Sequence, residues 1–244
     1  MQPLKALIFD VFGTLVDWRT AIAKETEMAL SPLGIAIDWL DFADAWRNRY
    51  QPAMEEVRSG LIPFAKLDRL HRRNLDLVLA EFGIDRLAEA GRCQLNLAWH
   101  RLDAWPDVGP GLQALTAKYL LAPCSNGNIS LMVDLARRNG FPWDAILGAE
   151  VARAYKPDPR VYLAAAAAFD LAPAQVMMVA AHSSDLAAAA ALGLRTAFVA
   201  RPDEFGPDKG EAAPPLSVDI SVSGIVELAQ ILLSSQETAA PRAP

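Results

Sequence analysis

Four short stretches of this sequence place polar side chains beside apolar runs, where they could act together on a small molecule. The first stretch, "LIFDVFGTLVD", has Asp10 directly after an apolar run, followed by Phe12 and Thr14. The residues of interest in the other three stretches are Ser125, Asn126, Lys156, Tyr162, His182 and Asp185. Two acids and a lysine suit nucleophilic attack by a carboxylate or general acid–base catalysis.

Each of these residues also has an ordinary structural interpretation. An aspartate after a strand is often a helix cap or a turn former, which applies to both Asp10 and Asp185. Ser125-Asn126-Gly127 is typical of a turn, Lys156 of an exposed loop, and His182 of a polar group at a strand end. The four groups nevertheless come after the first predicted strand, after the second, before the third and after the third, at successive switch points of the predicted fold. We therefore interpret them as one site.

Short apolar runs alternate with helical patterns along most of the chain. The runs are 6–9, 120–124, 176–180 and 196–199. Helical patterns such as "VYLAAAAAFDLA" and "SDLAAAAALGL" flank the later runs. This alternation predicts an α/β fold, with a Rossmann-like parallel sheet and helices on both faces. Ligands of such sheets bind at the carboxyl ends of the strands, where the four polar groups fall.

The segment 17–102 has a different pattern. It lacks strand-like runs, carries helical periodicity with many charges, and holds four of the six tryptophans. We predict that 17–102 is an inserted, all-helical cap subdomain and that 1–16 and 103–232 form the core domain. Residues 202–216 are rich in Pro, Asp and Gly and are predicted to be a surface loop. Residues 233–244 are predicted to be a mobile tail.

The composition argues against several classes of protein. The 244 residues are 52% hydrophobic and carry a net charge of −6. The chain has neither the basic face of a nucleic-acid-binding protein nor an apolar stretch long enough to span a membrane. The N-terminus has no secretory signal pattern, and Cys93 and Cys124 have no C-x-x-C spacing. We expect a reduced, soluble, cytoplasmic protein that binds neither nucleic acid nor membrane.

The four stretches together resemble the motifs of the haloacid dehalogenase superfamily. The matching segments are "FDVFGTLVD", "CSNG", "YKPDPRVY" and "VAAHSSD". The predicted helical insertion also lies where that family inserts a cap, so the resemblance covers most of the chain. It implies a nucleophile at Asp10, an anion held by Ser125 and Lys156, and an acid at Asp185.

Two positions distinguish the branches of that superfamily. The phosphatase branch has a second acid two residues after the nucleophile, as general acid for the leaving alcohol, and paired acids in the last motif. This sequence has Phe12 and Ala181 there, which leaves few carboxylates for the Mg²⁺ of phosphoryl transfer. The type II 2-haloacid dehalogenase branch is similar in its aromatic residue at position 12 and in a tryptophan–arginine pair, here Trp46-Arg47. An alkyl halide needs no metal, so we expect no metal site and no cofactor.

The resemblance and this chemistry predict hydrolysis of short L-2-haloacids to D-2-hydroxyacids through an ester on Asp10. Lys156 would keep Asp10 ionised and Thr14 would orient it, while Asp185 and Lys156 would position the hydrolytic water. Ser125 and backbone N–H groups would hold the substrate carboxylate. Arg47 and Asn126 are the predicted contacts of the departing halide. Phe12, Phe64 and Tyr162 are predicted to supply apolar walls.

The last motif departs from the best-known dehalogenases, which have "SSN" and an aromatic residue there. Ala180, Ala181 and Ser184 lack the corresponding groups. His182 replaces the asparagine and keeps a donor, with a charge that could respond to pH near neutrality. Two alternatives stay open, a small-molecule phosphatase and a non-catalytic protein of the same fold. The resemblance also implies a homodimer.

Overall fold

The computed structural model describes residues 2–215 and 217–234, and within these ranges the core is a single sheet of six parallel strands. The strands are β1 (Ala6–Phe9), β2 (Leu120–Ser125), β3 (Leu147–Gly148), β4 (Val176–Ala180), β5 (Arg195–Val199) and β6 (Ile220–Val222). They lie in the order β3-β2-β1-β4-β5-β6. The chain therefore builds the sheet outwards on one side of β1 and then on the other, which leaves a crevice between β1 and β4. The predicted α/β fold is confirmed.

The inner strands read as unbroken apolar runs because both faces of the sheet are covered. Leu7 and Phe9 of β1 belong to one apolar cluster, whereas Ala6 and Ile8 belong to the cluster on the opposite face. The strands β3 and β6 are missing from the sequence prediction. With two and three residues they are too short to carry a recognisable pattern.

Five helices lie between β1 and β2, in the segment predicted to be an inserted cap, and we call them the cap. They are α1 (Trp18–Leu30), α2 (Trp39–Asn48), α3 (Tyr50–Arg58), α4 (Leu67–Glu81) and α5 (Glu89–Asn96), and a short 3-10 helix, Leu97–His100, follows α5. The two connections to the core run beside each other. Val16 forms an antiparallel bridge with Ala104, and the Asp17 N–H donates to the Asp103 carbonyl over 3.0 Å.

The remaining helices cover the sheet. They are α6 (Val108–Leu115), α7 (Ile129–Asn139), α8 (Ala149–Ala152), α9 (Pro159–Ala167), α10 (Ser183–Ala191) and α11 (Ile225–Ser234). Apolar side chains of α6, α7 and α11 pack on the face that also contacts the cap, and those of α9 and α10 pack on the other face. The cap helices therefore meet the core on one side, close to the carboxyl ends of β1 and β2.

Two segments differ from their sequence predictions. The predicted surface loop at 202–216 is mostly exposed where it is described, but Glu204 turns inward and is only 2% exposed. Leu233 and Ser234 belong to α11 instead of a tail. The rest of the predicted mobile tail, 235–244, lies outside the described residues. Within the described ranges no helix combines the length and the apolar character needed to cross a membrane.

Candidate active site

A cavity of about 560 Å³ lies between the carboxyl edge of the sheet and the cap. Eight of the eleven predicted site residues line it: Asp10, Phe12, Arg47, Asn126, Lys156, Tyr162, His182 and Asp185. The lining is completed by Asn48, Tyr50, Gln51, Pro157, Ser184, Phe205 and Glu211. The described lining does not include Thr14, Ser125 or Phe64.

Asp10 is the centre of a hydrogen-bonded network at the end of β1. Its Oδ1 accepts from Lys156 Nζ over 2.9 Å, and its Oδ2 accepts from the Thr14 hydroxyl over 2.7 Å. Lys156 Nζ also contacts Asp185 Oδ2 at 2.5 Å, and the Tyr162 hydroxyl donates to Asp185 Oδ1. One buried lysine therefore bridges the two acids. The carboxylate of Asp185 faces this bridge instead of capping α10, whose N-cap residue is His182.

The charged groups of this network keep one another ionised. Burial would raise the pKa of Asp10, but the neighbouring cations Lys156 and His182 outweigh it and lower the pKa overall. Burial would likewise lower the pKa of Lys156, but the charges of Asp10 and Asp185 raise it well above its usual value. Asp10 is consequently a carboxylate at neutral pH, as a nucleophile must be.

The turn after β1 positions Asp10 and Thr14. Gly13 has a φ of +83°, a left-handed conformation that favours glycine, and its N–H donates to the Val16 carbonyl. The Thr14 hydroxyl donates to Asp10 and accepts from the Ala181 N–H over 2.9 Å. This second bond ties the loop after β1 to the loop after β4.

The end of β2 contributes Ser125 and Asn126 in different ways. Asn126 lines the cavity, and its Oδ1 accepts from the Lys156 backbone N–H over 2.8 Å. Ser125 is fully buried, and its hydroxyl oxygen accepts from the Gly127 N–H over 3.0 Å. Asn126 therefore orients the loop that carries Lys156, whereas Ser125 stabilises its own turn.

The cap contributes Arg47 and an aromatic surround. The Arg47 guanidinium carbon lies 4.2 Å from the ring centre of Tyr50 and 6.0 Å from that of Phe12. Arg47 Nη1 is buried without a hydrogen-bond partner among the described residues. An unpaired buried donor is costly, so this atom is available to an anion in the cavity. Tyr50 was not predicted, and it begins α3, so no spacing within a single helix links it to Arg47 on α2.

The structure does not bring Phe64 into the site. Its ring lies 5.4 Å from that of Tyr155, and the guanidinium of Arg153 lies 4.7 Å above it. Phe64 therefore joins the cap to the core beside the cavity and forms no part of the described wall. Its position depends on how the two subdomains meet, which sequence spacing does not reveal.

His182 lies between two carboxylates. Its Nδ1 is 3.1 Å from Asp10 Oδ2, and its Nε2 is 2.9 Å from Glu204 Oε2. Burial would lower the pKa of His182, but its bonds to Asp10 and Glu204 raise it to about 10. The expectation that its charge responds to pH near neutrality is therefore wrong, because the imidazole stays protonated there. Sequence reasoning missed Glu204 because it lies in a loop without any local pattern.

The carboxyl edge of the parallel sheet carries two aspartates that a lysine bridges, and a helical cap covers them. This arrangement defines an enzyme of the haloacid dehalogenase type. The chain belongs to this family, since the model for haloacid dehalogenase-like hydrolases matches residues 4–193. The fold and the family expected from the four motifs are both confirmed.

Named relatives are similar over almost the whole chain. (S)-2-Haloacid dehalogenase 1 of Pseudomonas sp. strain CBS-3 is 30% identical, with 96% of this chain and 98% of the relative covered. The solved structure of the defluorinating L-2-haloacid dehalogenase Rha0230 is 47% identical, with 95% and 96% covered and a TM-score of 0.92. That of the L-2-haloacid dehalogenase PA0810 is 45% identical, with 95% and 100% covered and a TM-score of 0.91.

Proposed function

We propose that this protein hydrolyses short L-2-haloacids to D-2-hydroxyacids and halide, through an ester on Asp10. The observation that carries the proposal is a single ionised nucleophile, Asp10, paired with Lys156 and flanked by Phe12 in place of a second acid. The similarity to enzymes named (S)-2-haloacid and L-2-haloacid dehalogenases supports the same reaction.

In the first step one oxygen of Asp10 attacks C2 of the substrate and the carbon–halogen bond breaks, with its electron pair leaving on the halide. Oδ2 already accepts from Thr14 and His182, whereas Oδ1 accepts from Lys156 alone among the described residues. Oδ1 therefore has the more available lone pairs and is the attacking atom. Holding the carboxylate in line with C2 lowers the barrier relative to the reaction in water, because the entropy of bringing the two together is lost on binding.

The substrate's own charge and the departing halide require donors on the cap side. Arg47 supplies the buried, unpaired Nη1, and Asn126 lies across the cavity. Phe12, Tyr50 and Tyr162 supply aromatic walls around the short carbon chain. An alkyl halide leaves without a proton, so these contacts suffice for the first step.

In the second step water hydrolyses the ester and restores Asp10. Lys156 and Asp185 lie together on the Oδ1 side of Asp10, and Tyr162 holds the second oxygen of Asp185. Asp185 is then placed to accept a hydrogen bond from the attacking water. We assign the positioning of this water to Asp185 and Lys156.

The phosphatase alternative fits the site less well. The position of its general acid is occupied by Phe12. This residue is 2% exposed, and its ring packs edge-on to that of Trp99, with ring centres 5.9 Å apart. Among the described residues no group of three or more His, Cys, Asp and Glu side chains is arranged to hold a metal ion. The non-catalytic alternative is disfavoured because Asp10, Lys156 and Asp185 are all present and joined.

The test is chloride release from L- and D-2-chloropropionate, with and without EDTA. We expect release from the L enantiomer, unchanged by EDTA, and loss of activity by more than about 10³-fold in Asp10→Asn. Phosphate release from p-nitrophenyl phosphate that depends on added Mg²⁺, with no chloride release, would favour the phosphatase instead. The homodimer and the cytoplasmic location stay predictions, and sedimentation of the purified protein tests the first.

A further inference from the structure

We propose that His182, held as an imidazolium by Glu204, donates together with Thr14 to Oδ2 of Asp10 and stabilises the oxyanion formed when water attacks the Asp10 ester. The inference rests on the proposed function and deepens it. His182 is then a catalytic residue of the second step, and Glu204 is a positioning residue that acts through it.

The hydrogen bonds require His182 to be a double donor. Asp10 Oδ2 lies 3.1 Å from Nδ1 and Glu204 Oε2 lies 2.9 Å from Nε2. Ionised carboxylates only accept hydrogen bonds, so both ring nitrogens must carry a proton and the ring is cationic. A neutral ring would turn a lone pair towards one of the two carboxylates.

Glu204 is built into the site as a buried carboxyl group. Its side chain is 2% exposed, and its Oε1 accepts from the Trp18 indole N–H over 3.1 Å. The loop passes so close to the turn after β1 that a Cβ on Gly13 would fall 2.0 Å from Glu204 Oε1. Arg201 anchors the same loop, donating to the Thr14 carbonyl over 2.9 Å. Turn and loop are therefore packed as one unit around His182.

The other charged groups near His182 have partners of their own. Asp185, on the helix that His182 caps, is bonded to Lys156 and Tyr162. Glu211, from the same loop as Glu204, accepts from the backbone N–H of Ser183 over 3.1 Å. Asp10 and Glu204 are thus the two carboxylates that bond the imidazolium directly.

The two donors on Oδ2 identify it as the carbonyl oxygen of the ester, since Oδ1 becomes bonded to the substrate carbon. Water adds its oxygen to Cγ, and the electron pair of the Cγ–Oδ2 double bond moves onto Oδ2. When that double bond forms again, the Cγ–Oδ1 bond breaks and Oδ1 leaves as the hydroxyl of the product. One water proton goes to this hydroxyl and the other to solvent, so Asp10 is restored as a carboxylate. Preorganised donors aimed at the developing charge are an effective way to lower such a barrier.

Glu204 matters most while the ester exists. Asp10 then carries no charge and no longer holds the proton on His182. The pKa of His182, raised to about 10 by both carboxylates together, must then fall. Glu204 is the remaining direct anionic partner, and it keeps Nδ1 protonated at the moment when Oδ2 becomes negative.

The test compares Glu204→Gln and His182→Asn with the wild type in rapid-quench chloride release and in the mass of the peptide that contains Asp10. In both variants we expect a burst of one chloride per site, accumulation of the ester, and ester hydrolysis slowed by on the order of 10²-fold. The rate of ester hydrolysis should fall at alkaline pH, where His182 loses its proton, and we call this fall the alkaline limb. In Glu204→Gln the alkaline limb should move to lower pH by about 1–3 units, since a nearby anion is lost. In His182→Asn that limb should disappear with the titrating group.

Asp203→Asn is the matched control. It removes one negative charge from the adjacent, exposed position of the same loop, where Asp203 Oδ1 accepts only from a backbone N–H among the described residues. Its alkaline limb should stay at the wild-type pH. An unchanged limb and no ester accumulation in Glu204→Gln would overturn the inference while the proposed function stands. A rate of ester hydrolysis in Glu204→Gln that increases with pH would also overturn the inference, since His182 would then act as a base. A wild-type protein that releases no halide from any 2-haloacid overturns the proposed function itself.

Discussion

At the scale of single residues, opposite charges alternate through the site, from Glu204 through His182, Asp10 and Lys156 to Asp185. The successive contacts are 2.9, 3.1, 2.9 and 2.5 Å. Each buried charge has a partner of the opposite sign, which offsets the cost of removing it from water. Removing one member leaves its neighbour buried and unpaired, so activity data on these residues need a stability measurement beside them.

Arg47 gives the prediction that belongs to this scale. Arg47→Met keeps much of the packing against Tyr50 and Phe12 but removes the unpaired donor. Because a charge-assisted hydrogen bond contributes about 1.5–3 kcal/mol, we expect kcat/KM for L-2-chloropropionate to fall about 10–100-fold.

The control is Arg49→Met, two residues away. Arg49 forms an exposed ion pair with Glu81 outside the cavity, so kcat/KM should stay close to that of the wild type. Equal kcat/KM in the Arg47 variant and the wild type would contradict the role of Arg47 in binding the substrate or the halide.

At the scale of elements, a histidine joins the cap to the core. His100, at the end of the 3-10 helix, contacts Asp134 on α7 at 2.8 Å and Asp68 on α4 at 3.2 Å. Burial would lower the pKa of His100, but these two carboxylates raise it above its usual value. A second bond supports the bridge, since Asn128, just before α7, donates to Asp68 over 2.8 Å.

The raised pKa predicts how stability depends on pH. Stability contributed by protonated His100 is fully present below its unfolded pKa of about 6.5 and is lost as pH rises through the folded value. His100→Asn should therefore lower the free energy of unfolding by about 1.5–3 kcal/mol at mildly acidic pH, and by less at alkaline pH. Urea unfolding at several pH values measures this difference.

Arg138→Gln is the control for the bridge. Arg138 also lies on α7 and pairs with Asp103, in the connection that leaves the cap, at 2.8 Å, but both side chains are exposed. Exposed pairs contribute little, so this variant should unfold close to the wild type at every pH. A loss of stability in His100→Asn that is constant from acid to alkaline pH would show that packing, not charge, is what the histidine contributes.

At the scale of the whole molecule, the cap and the core close over the cavity through polar contacts. Arg58 on α3 donates to the Lys156 carbonyl over 3.0 Å, and the Tyr155 hydroxyl donates to the Ala65 carbonyl over 2.7 Å. Substrate held between the two subdomains should therefore stabilise the entire fold.

Asp10→Asn allows this to be measured, because it should bind L-2-chloropropionate without consuming it. At 100 times the dissociation constant a ligand stabilises by about 2.7 kcal/mol, which is roughly 5–10 °C in melting temperature for a chain of this size. The D enantiomer at the same concentration should give a smaller rise. Equal rises with both enantiomers would contradict a site that selects by geometry at C2.

The sequence alone determined the α/β class, the helical insertion and the convergence of Asp10, Lys156 and Asp185. These follow from local patterns, because an apolar run defines a strand and the ends of parallel strands share one edge. The side chains that follow those strands must then lie near one another, wherever the helices pack.

The tertiary structure determined which side chains reach the site from segments other than those strand ends. Glu204 reaches His182 from a loop of no local pattern, Tyr50 enters from the cap, and Phe64 stays out of the cavity. Their positions depend on how the loop and the cap pack against the turn after β1, and no spacing along the chain encodes that packing. The protonated state of His182 was decided in the same way, because it takes two carboxylates 194 residues apart in the chain, Asp10 and Glu204, to hold that proton.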